Sequence, residues 1–577
     1  MIDGNSDKPI SRRLAQLRSR RDALVRFSGK EALERILGDA EPPALVHSLS
    51  EEDLYLLLHD LDPEDALPLL ALASHRQKEY LLDMEIWDRD RIDVKSLADW
   101  TRFLYRADPK RNAQWLMEKN PELVGFLLIH HIDVAVLEED QDPGSLGEGF
   151  ITFDQTFYLR VSKKAGAGSS IEGREFEEFF HEMMRRFAET DYDAFRNLLQ
   201  ESAAMLRAEY EEEAYRLRNV RLAEKGFLPF EEAVGIYQPV RPDHLRAHPL
   251  PRGKGELLGD PSIPVPIYPS GMLASDSLLA SAIKDPSNAG IYGRLQVEFA
   301  AVCNRIASAD RKTVRSRKML KSVVDKADKT ISIGLERLTE GNTPIQRRGE
   351  AARIIGRHPL TDLFRLGYGA AAELKWKAEA WRKKSWFVEQ GLPLTFWGER
   401  WLGLIGGLFV LRPRFFDEER TDAPYREFGS MEEIRATAGE LDRVVAFDDL
   451  LARLCIPMER PEGIPQLLTY KNLVLTLWAR HTLALADGLV PLSLPQLRRF
   501  LPGLWTDAPE RRRTTSNAAK ERFLGWLAAR SGLSEVDLYE TVGSCLEDLF
   551  GEIEDELGGV PVADLDPRFI QLFLVRG

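Results

Sequence analysis

The strongest constraint in this sequence is an internal repeat with an offset of 46 residues. Eight residues of the 50–82 window recur unchanged in the 96–128 window. The identical pairs are Ser50 and Ser96, Asp53 and Asp99, Leu58 and Leu104, Asp62 and Asp108, Pro63 and Pro109, Leu70 and Leu116, Leu81 and Leu127, and Leu82 and Leu128. Armadillo and HEAT arrays repeat every ~40 to 47 residues and stack their helices into a superhelix. The offset therefore predicts a helical-repeat platform over residues 46–135.

Each copy has the pattern of a helix followed by a second helix. Leu54, Leu57, Leu58 and Leu61 form an apolar face at i, i+3, i+4 and i+7, and the second copy keeps this face. Ser50 with Asp53, and Ser96 with Asp99, have the spacing of a capping box at a helix start. Each Asp-Pro pair then predicts a new helix, with Asp as the cap and Pro in the first turn. We expect one helical pair per copy, and capping helices in residues 1–45.

Composition changes along the rest of the chain. Residues 136–170 contain an acidic loop, two runs of β-formers (150–153 and 156–161) that predict a small β-hairpin, and a Gly/Ser link at 163–170. We expect long helices over 171–238 and a C-terminal helical domain over 291–577. The 239–290 segment holds nine prolines and five glycines, which indicates a linker or a long surface loop and the best domain boundary. Spacing leaves residues 564–577 open between a last helix and a strand.

The overall charge limits the kinds of partner. Asp and Glu number 92 against 78 Lys and Arg, a net charge of −14, so a nucleic-acid or anionic-membrane surface would have to be local. The three cysteines, Cys303, Cys455 and Cys545, form neither a disulfide framework nor a metal knuckle. The longest uncharged apolar run is 401–411, whereas a membrane span needs ~20 residues. We therefore expect a cytoplasmic protein without a membrane span.

Motifs for catalysis, cofactors and metals are incomplete. Gly367, Gly369 and Ala372 have the G-x-G-x-x-A spacing of a dinucleotide site, but no β-strand pattern precedes them. His181-Glu182 starts like a zincin helix, yet Arg185 stands where the second ligand would be. His130 and His131 lack a partner at i+4, and no nucleophile motif is present. The sequence predicts no cofactor and no metal, and leaves the catalytic residues, if any, unknown.

Two basic stretches stand out from the acidic total. Between 311 and 321 there are six cations, of which Arg311, Arg315 and Lys318 would share one helical face. The second stretch, 375–386, interleaves Lys375, Lys377 and Lys383 with tryptophans. We expect Trp376 and Trp381 to fill the core. The candidate interaction surface for a protein or peptide consists of three cations from each stretch: Arg311, Arg315, Lys318, Lys375, Lys377 and Lys383. Aromatic and basic residues together can also bind single-stranded nucleic acid, but we do not expect this of an acidic chain.

Two family resemblances follow from these segments. The string LSEEDLYLLLHDLDPEDALPLLALASHRQKEYLLD at 49–83 resembles the helical-repeat N-terminal domain of MgtE magnesium transporters, over residues 46–135. That family's transmembrane region and nucleotide module have no counterpart here, so its magnesium-sensing carboxylates are not carried over. Taken whole, the chain is similar to an uncharacterised bacterial family known only as a domain of unknown function, through the repeat, GFITFDQTFYLRV, LFRLGYGAAAELKWKAEAWR and LDPRFIQLFLVRG.

Three hypotheses about function remain open. The preferred one is a cytoplasmic scaffold or protein-interaction protein, because stacked helix pairs expose a broad groove. The second is an enzyme of unrecognised class with a cleft between the two halves, near the Pro-rich segment and the aromatic residues 376–401. The third is nucleic-acid binding through the basic helices. A deep pocket with converging charged groups would favour the enzyme, and a wide apolar groove would favour the scaffold.

Metal removal tests the prediction that no metal is bound. Overnight chelation should leave helicity and melting temperature unchanged, because no ligand cluster has workable spacing. Circular dichroism melts before and after chelation measure this. A fall of several degrees that zinc or magnesium reverses would show that a structural metal had been missed.

Overall fold

A computed structural model describes residues 7–137, 142–162, 174–204, 207–247, 265–456, 467–506 and 512–576. These residues contain 27 α-helices and seven short β-strands, which confirms the prediction of a mainly α protein. The chain divides into two compact units, Met1–Arg365 and Leu366–Gly577. Among the described helices, none combines the length and the apolar character that crossing a bilayer requires.

Nine helices build the N-terminal part of the first unit. They are α1 Asp7–Leu24, α2 Gly29–Leu37, α3 Pro42–Ser48, α4 Glu51–His59, α5 Pro63–Leu72, α6 His75–Glu85, α7 Val94–Ala107, α8 Pro109–Lys119 and α9 Pro121–His131. Helices α4, α5 and α6 correspond to α7, α8 and α9 at the 46-residue offset. Each copy therefore has three helices, and the predicted pair is wrong because Ser74 and Asn120 each start a further helix.

The helix caps agree in part with the sequence pattern. The Ser50 side chain accepts a hydrogen bond from the Asp53 N–H at 3.1 Å, as the capping spacing predicts. The predicted cap of the second copy is wrong, since α7 starts one turn earlier at Asp93 and the Ser96 hydroxyl donates to Asp93 Oδ2. Asp108 caps α8 by accepting from the Arg111 N–H at 3.0 Å. Pro63 and Pro109 both occupy the first turn of a helix, as expected.

Two small antiparallel sheets accompany the repeat. Strands β1 Trp87–Asp88 and β2 Arg91–Ile92 form a hairpin between the two copies. The predicted hairpin is confirmed as β4 Ile151–Thr152 and β5 Phe157–Val161. A third strand, β3 Ile132–Val136, pairs along the whole of β5, so the sheet order is β3-β5-β4. The sequence pattern did not predict β3, because this strand follows α9 directly and its pairing partner β5 lies more than twenty residues away.

Helices of unrelated sequence cover the end of the second copy. They are α10 Arg174–Thr190, α11 Tyr192–Ala204 and α12 Arg207–Glu224. Helix α10 packs on α8, while α11 and α12 pack on α9. In the described residues the two copies are thus followed by helices of a different pattern, and the predicted repeat superhelix is not shown. The predicted Gly/Ser link at 163–170 lies outside the described residues.

The Pro-rich 239–290 segment contains three short α-helices where it is described. It contributes α14 Pro242–Ala247, α15 Tyr268–Gly271 and α16 Leu278–Ile283, after the short helix α13 Phe230–Ala233. Residues 248–264 lie outside the described part. Helix α15 packs on the later helices α17 Tyr292–Ala309 and α18 Arg317–Leu338, and α16 packs on α18 and α19 Pro344–Arg357. The two compact units divide at Arg365, so the linker role of 239–290 stays a prediction.

The predicted basic helix over 311–321 is wrong in its first half. Helix α17 ends at Ala309 and α18 begins at Arg317, so Arg311 and Arg315 lie in the connection between them. Arg311 has a positive φ of 52°, which interrupts a helix. Ser316 caps α18 by accepting from the Met319 N–H at 3.2 Å. Of the three predicted face residues, Lys318 alone is in the helix.

The second unit contains α20 from Leu366 onward, the remaining helices and one small hairpin. They are α20 Leu360–Arg382, α21 Trp386–Glu389, α22 Gly398–Phe409, β6 Phe415–Phe416, β7 Tyr425–Arg426, α23 Met431–Arg453, α24 Tyr470–Thr482, α25 Leu494–Phe500, α26 Asn517–Ser531 and α27 Glu535–Leu557. A buried carboxylate on α23 positions the aromatic core. Asp448 accepts from Trp381 Nε1 at 3.0 Å and from the Trp386 and Phe387 N–H groups at 3.1 Å each.

The last residues form neither an α-helix nor a strand of a sheet. Asp566 and Pro567 open a short 3-10 turn, Pro567–Phe569, as the Asp-Pro pattern suggests. An extended stretch follows, in which the Leu492 N–H donates to Leu574 O at 2.8 Å and the Arg576 N–H donates to Leu492 O at 2.9 Å. Phe573, Leu574 and Val575 are fully buried. Their burial, and not local propensity, holds the chain end in place.

The equivalent core leucines of the two copies provide a stability test. Leu58 and Leu104 are 5% and 0% exposed, so each change to Ala should destabilise the fold by about 2 to 5 kcal/mol. Urea unfolding followed by circular dichroism measures the loss. Leu411→Ala, at a residue 85% exposed, is the matched control and should cost less than about 0.5 kcal/mol. A loss below about 1 kcal/mol at Leu104 would mean that the second copy is not packed as described.

Candidate functional site

A cleft of about 600 Å³ opens in the first unit among α4, α6, α12 and α17. This volume lies within the usual range of ligand-binding pockets, about 300 to 1,000 Å³. Ten of the fifteen described residues that line it are charged. The carboxylates are Glu51, Glu52, Glu79, Asp83, Glu224 and Glu298, and the cations are Arg76, Arg221, Lys225 and Arg294. We call these ten residues and the volume that they enclose the charged cleft.

Lys225 joins α12 to the first repeat copy. Its Nζ lies 2.8 Å from Glu51 Oε2 and 3.3 Å from Glu52 Oε2. Burial raises the pKa of Glu52, and Lys225 opposes that rise. Burial also acts to lower the pKa of Lys225, but the two carboxylates outweigh it and leave this pKa raised. The three groups thus form a charged cluster at the wall of the cleft.

Asp83 and Arg221 form a second charged pair at the cleft. Arg221 donates from Nε and Nη2 to the two carboxylate oxygens of Asp83, at 2.8 and 2.7 Å. The Asp83 side chain is only 4% exposed, and burial raises its pKa despite the arginine. Burial also raises the pKa of Glu79, one turn earlier on α6. Charges removed from water in this way cost folding energy, and such groups concentrate at functional sites.

Two local features keep the opposite wall in place. Gly226 has a φ of +84°, and a Cβ there would lie 2.8 Å from the Ala301 carbonyl oxygen, so α12 must end in glycine to approach α17. Asn304 on α17 donates to the Lys225 carbonyl oxygen at 2.9 Å. Backbone placement therefore sets the distance between the carboxylates of α4 and the apolar surface of α17.

The cleft also has an apolar wall, and it lacks the side chains of common nucleophilic catalysis. Tyr80, Pro266, Val297, Ala300 and Ala301 supply apolar surface beside the charges. The described lining contains no Ser, Thr, Cys or His. A Ser–His or Cys–His pair is thus missing from this cleft, and its side chains are suited to binding a charged group.

The three candidate interaction residues of the first unit lie outside the charged cleft and make local contacts. The Arg311 guanidinium stacks on the Phe230 ring, 3.9 Å from its centroid. Arg315 Nε donates to Glu85 Oε1 at 3.1 Å. Lys318 is exposed in the first turn of α18. The structure therefore does not bring these three cations together on one helical face.

Two of the three candidate residues of the second unit, Lys375 and Lys377, lie on α20, and Lys383 lies in the turn directly after it. Lys375 Nζ donates to the carbonyl oxygens of Val410 and Leu411, at 2.7 and 3.1 Å. Lys377 pairs with Asp442, and Lys383 is exposed. Trp381 is 4% exposed, as predicted for a core residue. The core assignment of Trp376 is wrong, because the helix turns this side chain outward and leaves it 52% exposed.

The incomplete motifs have structural explanations. Gly367, Gly369 and Ala372 lie inside helix α20, so no loop is present there to hold a pyrophosphate. His131 packs against Phe176 and Phe180, and burial lowers its pKa to about 4. Within the described ranges, no group of three His, Cys, Asp or Glu side chains is arranged to hold a metal ion.

The second unit has two further clefts. One, of about 450 Å³, has an aromatic wall of Trp397, Trp401 and Tyr470, with Cys545 in its lining. Trp401 and Tyr470 stack with ring centroids 4.7 Å apart, so they fill space between themselves. Burial raises the pKa of the Cys545 thiol, which keeps it protonated and unreactive at neutral pH. The other cleft, of about 680 Å³, lies beside the β6–β7 hairpin.

The internal repeat contains a signal for the charged cleft that the sequence analysis did not use. At the 46-residue offset, Glu51 and Glu52 correspond to Leu97 and Ala98, and Glu79 and Asp83 correspond to Gly125 and Ile129. Charged residues of one copy are thus apolar in the other. A comparison of the two copies for lost symmetry would have pointed to this face.

Comparison with known proteins identifies a family. The model of a family of unknown function, DUF6178, matches residues 9–576, so the chain belongs to that family. Neither a curated protein nor a solved structure matches the chain. These comparisons give no support to the resemblance between residues 46–135 and the MgtE domain.

Asp53, next to the cleft, gives a pH-dependent prediction. It is fully buried and accepts from the Ile267 and Tyr268 N–H groups, and burial raises its pKa from 3.8 to about 6. A raised pKa stabilises the fold below pH 4, and this contribution is lost as the pH rises through about 6. The stability of the wild type minus that of Asp53→Asn should therefore fall by up to roughly 3 kcal/mol over this range. Urea titrations at several pH values measure it, and a constant difference would contradict the assignment.

Proposed function

We propose that this member of the DUF6178 family is a protein-interaction platform that binds a cationic segment of a partner protein in the charged cleft. The observation that supports this most directly is the lining itself, in which six carboxylates and four cations surround about 600 Å³. The excess of carboxylates favours a positively charged ligand. The repeat helices α4 and α6 form one side of the site, as a helical platform would.

The carboxylates are not needed to build a repeat copy. The second copy forms the same three helices with Leu97, Ala98, Gly125 and Ile129 at the equivalent positions. Replacing buried ion pairs by apolar residues is often neutral or stabilising. Retention of charges on one copy therefore supports a role in recognition for Glu51, Glu52, Glu79 and Asp83.

The cleft fits a lysine or arginine side chain better than an acidic ligand. Tyr80, Val297 and Ala301 offer apolar surface for an aliphatic stem, and carboxylates lie beside them for the charged head. Lys225 and Arg221 already hold Glu51, Glu52 and Asp83 in fixed positions. Such preorganisation lowers the entropic cost of binding. A nucleic acid would meet the carboxylate excess and be repelled.

The proposal also places the protein in the cytoplasm. The three cysteines are free thiols, two of them buried and Cys455 exposed. A reducing compartment suits an exposed free thiol. The proposal thus keeps the scaffold hypothesis and assigns it a binding site that the basic stretches did not indicate.

Fluorescence polarisation with labelled peptides of about ten residues tests the proposal. The full chain should bind Lys/Arg-rich peptides and not their Asp/Glu-rich counterparts. Glu79→Gln combined with Glu224→Gln should weaken binding roughly tenfold, because two cleft carboxylates become neutral. Binding should also weaken as the pH falls below neutral, since the raised pKa values of Glu52, Glu79 and Asp83 make them protonate earlier than ordinary carboxylates.

A matched control separates the cleft from net charge. Glu34→Gln combined with Glu177→Gln removes two exposed carboxylates of the same unit that do not line the cleft. This variant should bind basic peptides like the wild type, and both variants should melt at the wild-type temperature. Equal weakening in the two variants would show that binding is non-specific. Failure of every basic peptide to bind would contradict the proposal.

A further inference from the structure

The second unit has an exposed apolar patch that belongs to none of the clefts. Leu411 is 85% exposed, Trp376 52% and Val410 42%. None of the three residues lines a cleft described above. Large apolar side chains exposed next to one another mark interaction surfaces more often than singly exposed ones do.

The contacts of α20 with the end of α22 place these three residues in the same region of the second unit. Lys375 Nζ donates to the Val410 and Leu411 carbonyl oxygens. Seven residues further along α20, the Arg382 guanidinium lies 5.0 Å from the centroid of the Phe409 ring. Trp376 follows Lys375 directly in α20, so its backbone lies close to the turn that carries Leu411. We call Trp376, Val410 and Leu411 the apolar patch.

Cations surround the apolar patch. Residues 375–384 hold five cations and one carboxylate, and the turn after α22 continues as Arg412-Pro413-Arg414. Lys383 and Lys384 lie in the turn directly after α20, next to Arg382, and both are exposed. Asp442 offsets Lys377, which leaves a local excess of positive charge in a chain whose net charge is −14.

We propose that the apolar patch and its lysines dock the protein on the surface of an anionic phospholipid bilayer. The patch consists of part of a helix and the tip of a turn, and it lies outside the clefts described above. Leucine at such a tip can enter the interfacial region, and tryptophan favours the headgroup level. Lysine and arginine beside them are attracted to anionic lipid. This contact is peripheral and does not require a spanning helix.

Co-sedimentation of the full chain with vesicles tests the proposal. The wild type should bind vesicles of phosphatidylcholine with about a third phosphatidylglycerol, and should bind pure phosphatidylcholine at least tenfold more weakly. Leu411→Glu and Trp376→Ala should each lower the partition coefficient roughly tenfold. Lys383→Gln combined with Lys384→Gln should lower it more than tenfold, at roughly fivefold per charge.

Controls and a competing ligand decide between outcomes. Val536→Glu and Tyr539→Ala alter residues of similar exposure on α27, and they should bind vesicles like the wild type. All variants should keep the wild-type melting temperature because the changed side chains are exposed. Absence of binding to anionic vesicles at low salt, or equal loss in the controls, would overturn the proposal. Tighter binding of a labelled single strand of about 20 nucleotides, lost in Trp376→Ala, would assign the patch to nucleic acid instead.

Discussion

The buried carboxylate of Asp53 is the interaction on which the arrangement of the first unit depends. It lies at the start of α4 and accepts backbone hydrogen bonds from Ile267 and Tyr268, which are 214 and 215 residues away in sequence. Leaving two buried N–H groups unpaired would cost several kcal/mol. The bond therefore holds the segment before α15 against the repeat, and Pro266 in that segment forms part of the cleft wall. One carboxylate links the repeat, the Pro-rich segment and the candidate site.

The charged cleft is formed where the first repeat copy has charged residues and the second copy has apolar ones. Both copies fold as three helices with buried leucines, and the second copy does so with apolar residues at the positions of Glu51, Glu52, Glu79 and Asp83. In the first copy, Glu52 and Asp83 are buried next to Lys225 and Arg221 of α12. Desolvation makes these pairs a weak source of stability. Their placement around an open volume is the feature on which the proposed recognition of a charged partner rests.

The second unit uses the same device, a buried carboxylate that accepts several donors, for a different purpose. Asp448 holds Trp381 and the start of α21, and through them an aromatic core. This core uses Trp381 and leaves Trp376 outside, although the two lie on the same helix. Since five residues advance a helix by about 1.4 turns, the two side chains point in different directions. One end of α20 therefore carries both core and surface aromatics.

Local patterns were sufficient to predict that the chain is mainly helical and to place the β4–β5 hairpin, because both depend on residues close in sequence. Long-range contacts were needed for the rest. Strand β3 exists because it pairs with β5, and the chain end is extended because Leu492 pairs with it. The charged cleft joins helices up to 250 residues apart, from Glu51 to Ala301. Periodicity shows that a face is buried, but which elements cover it is set by packing across the whole chain.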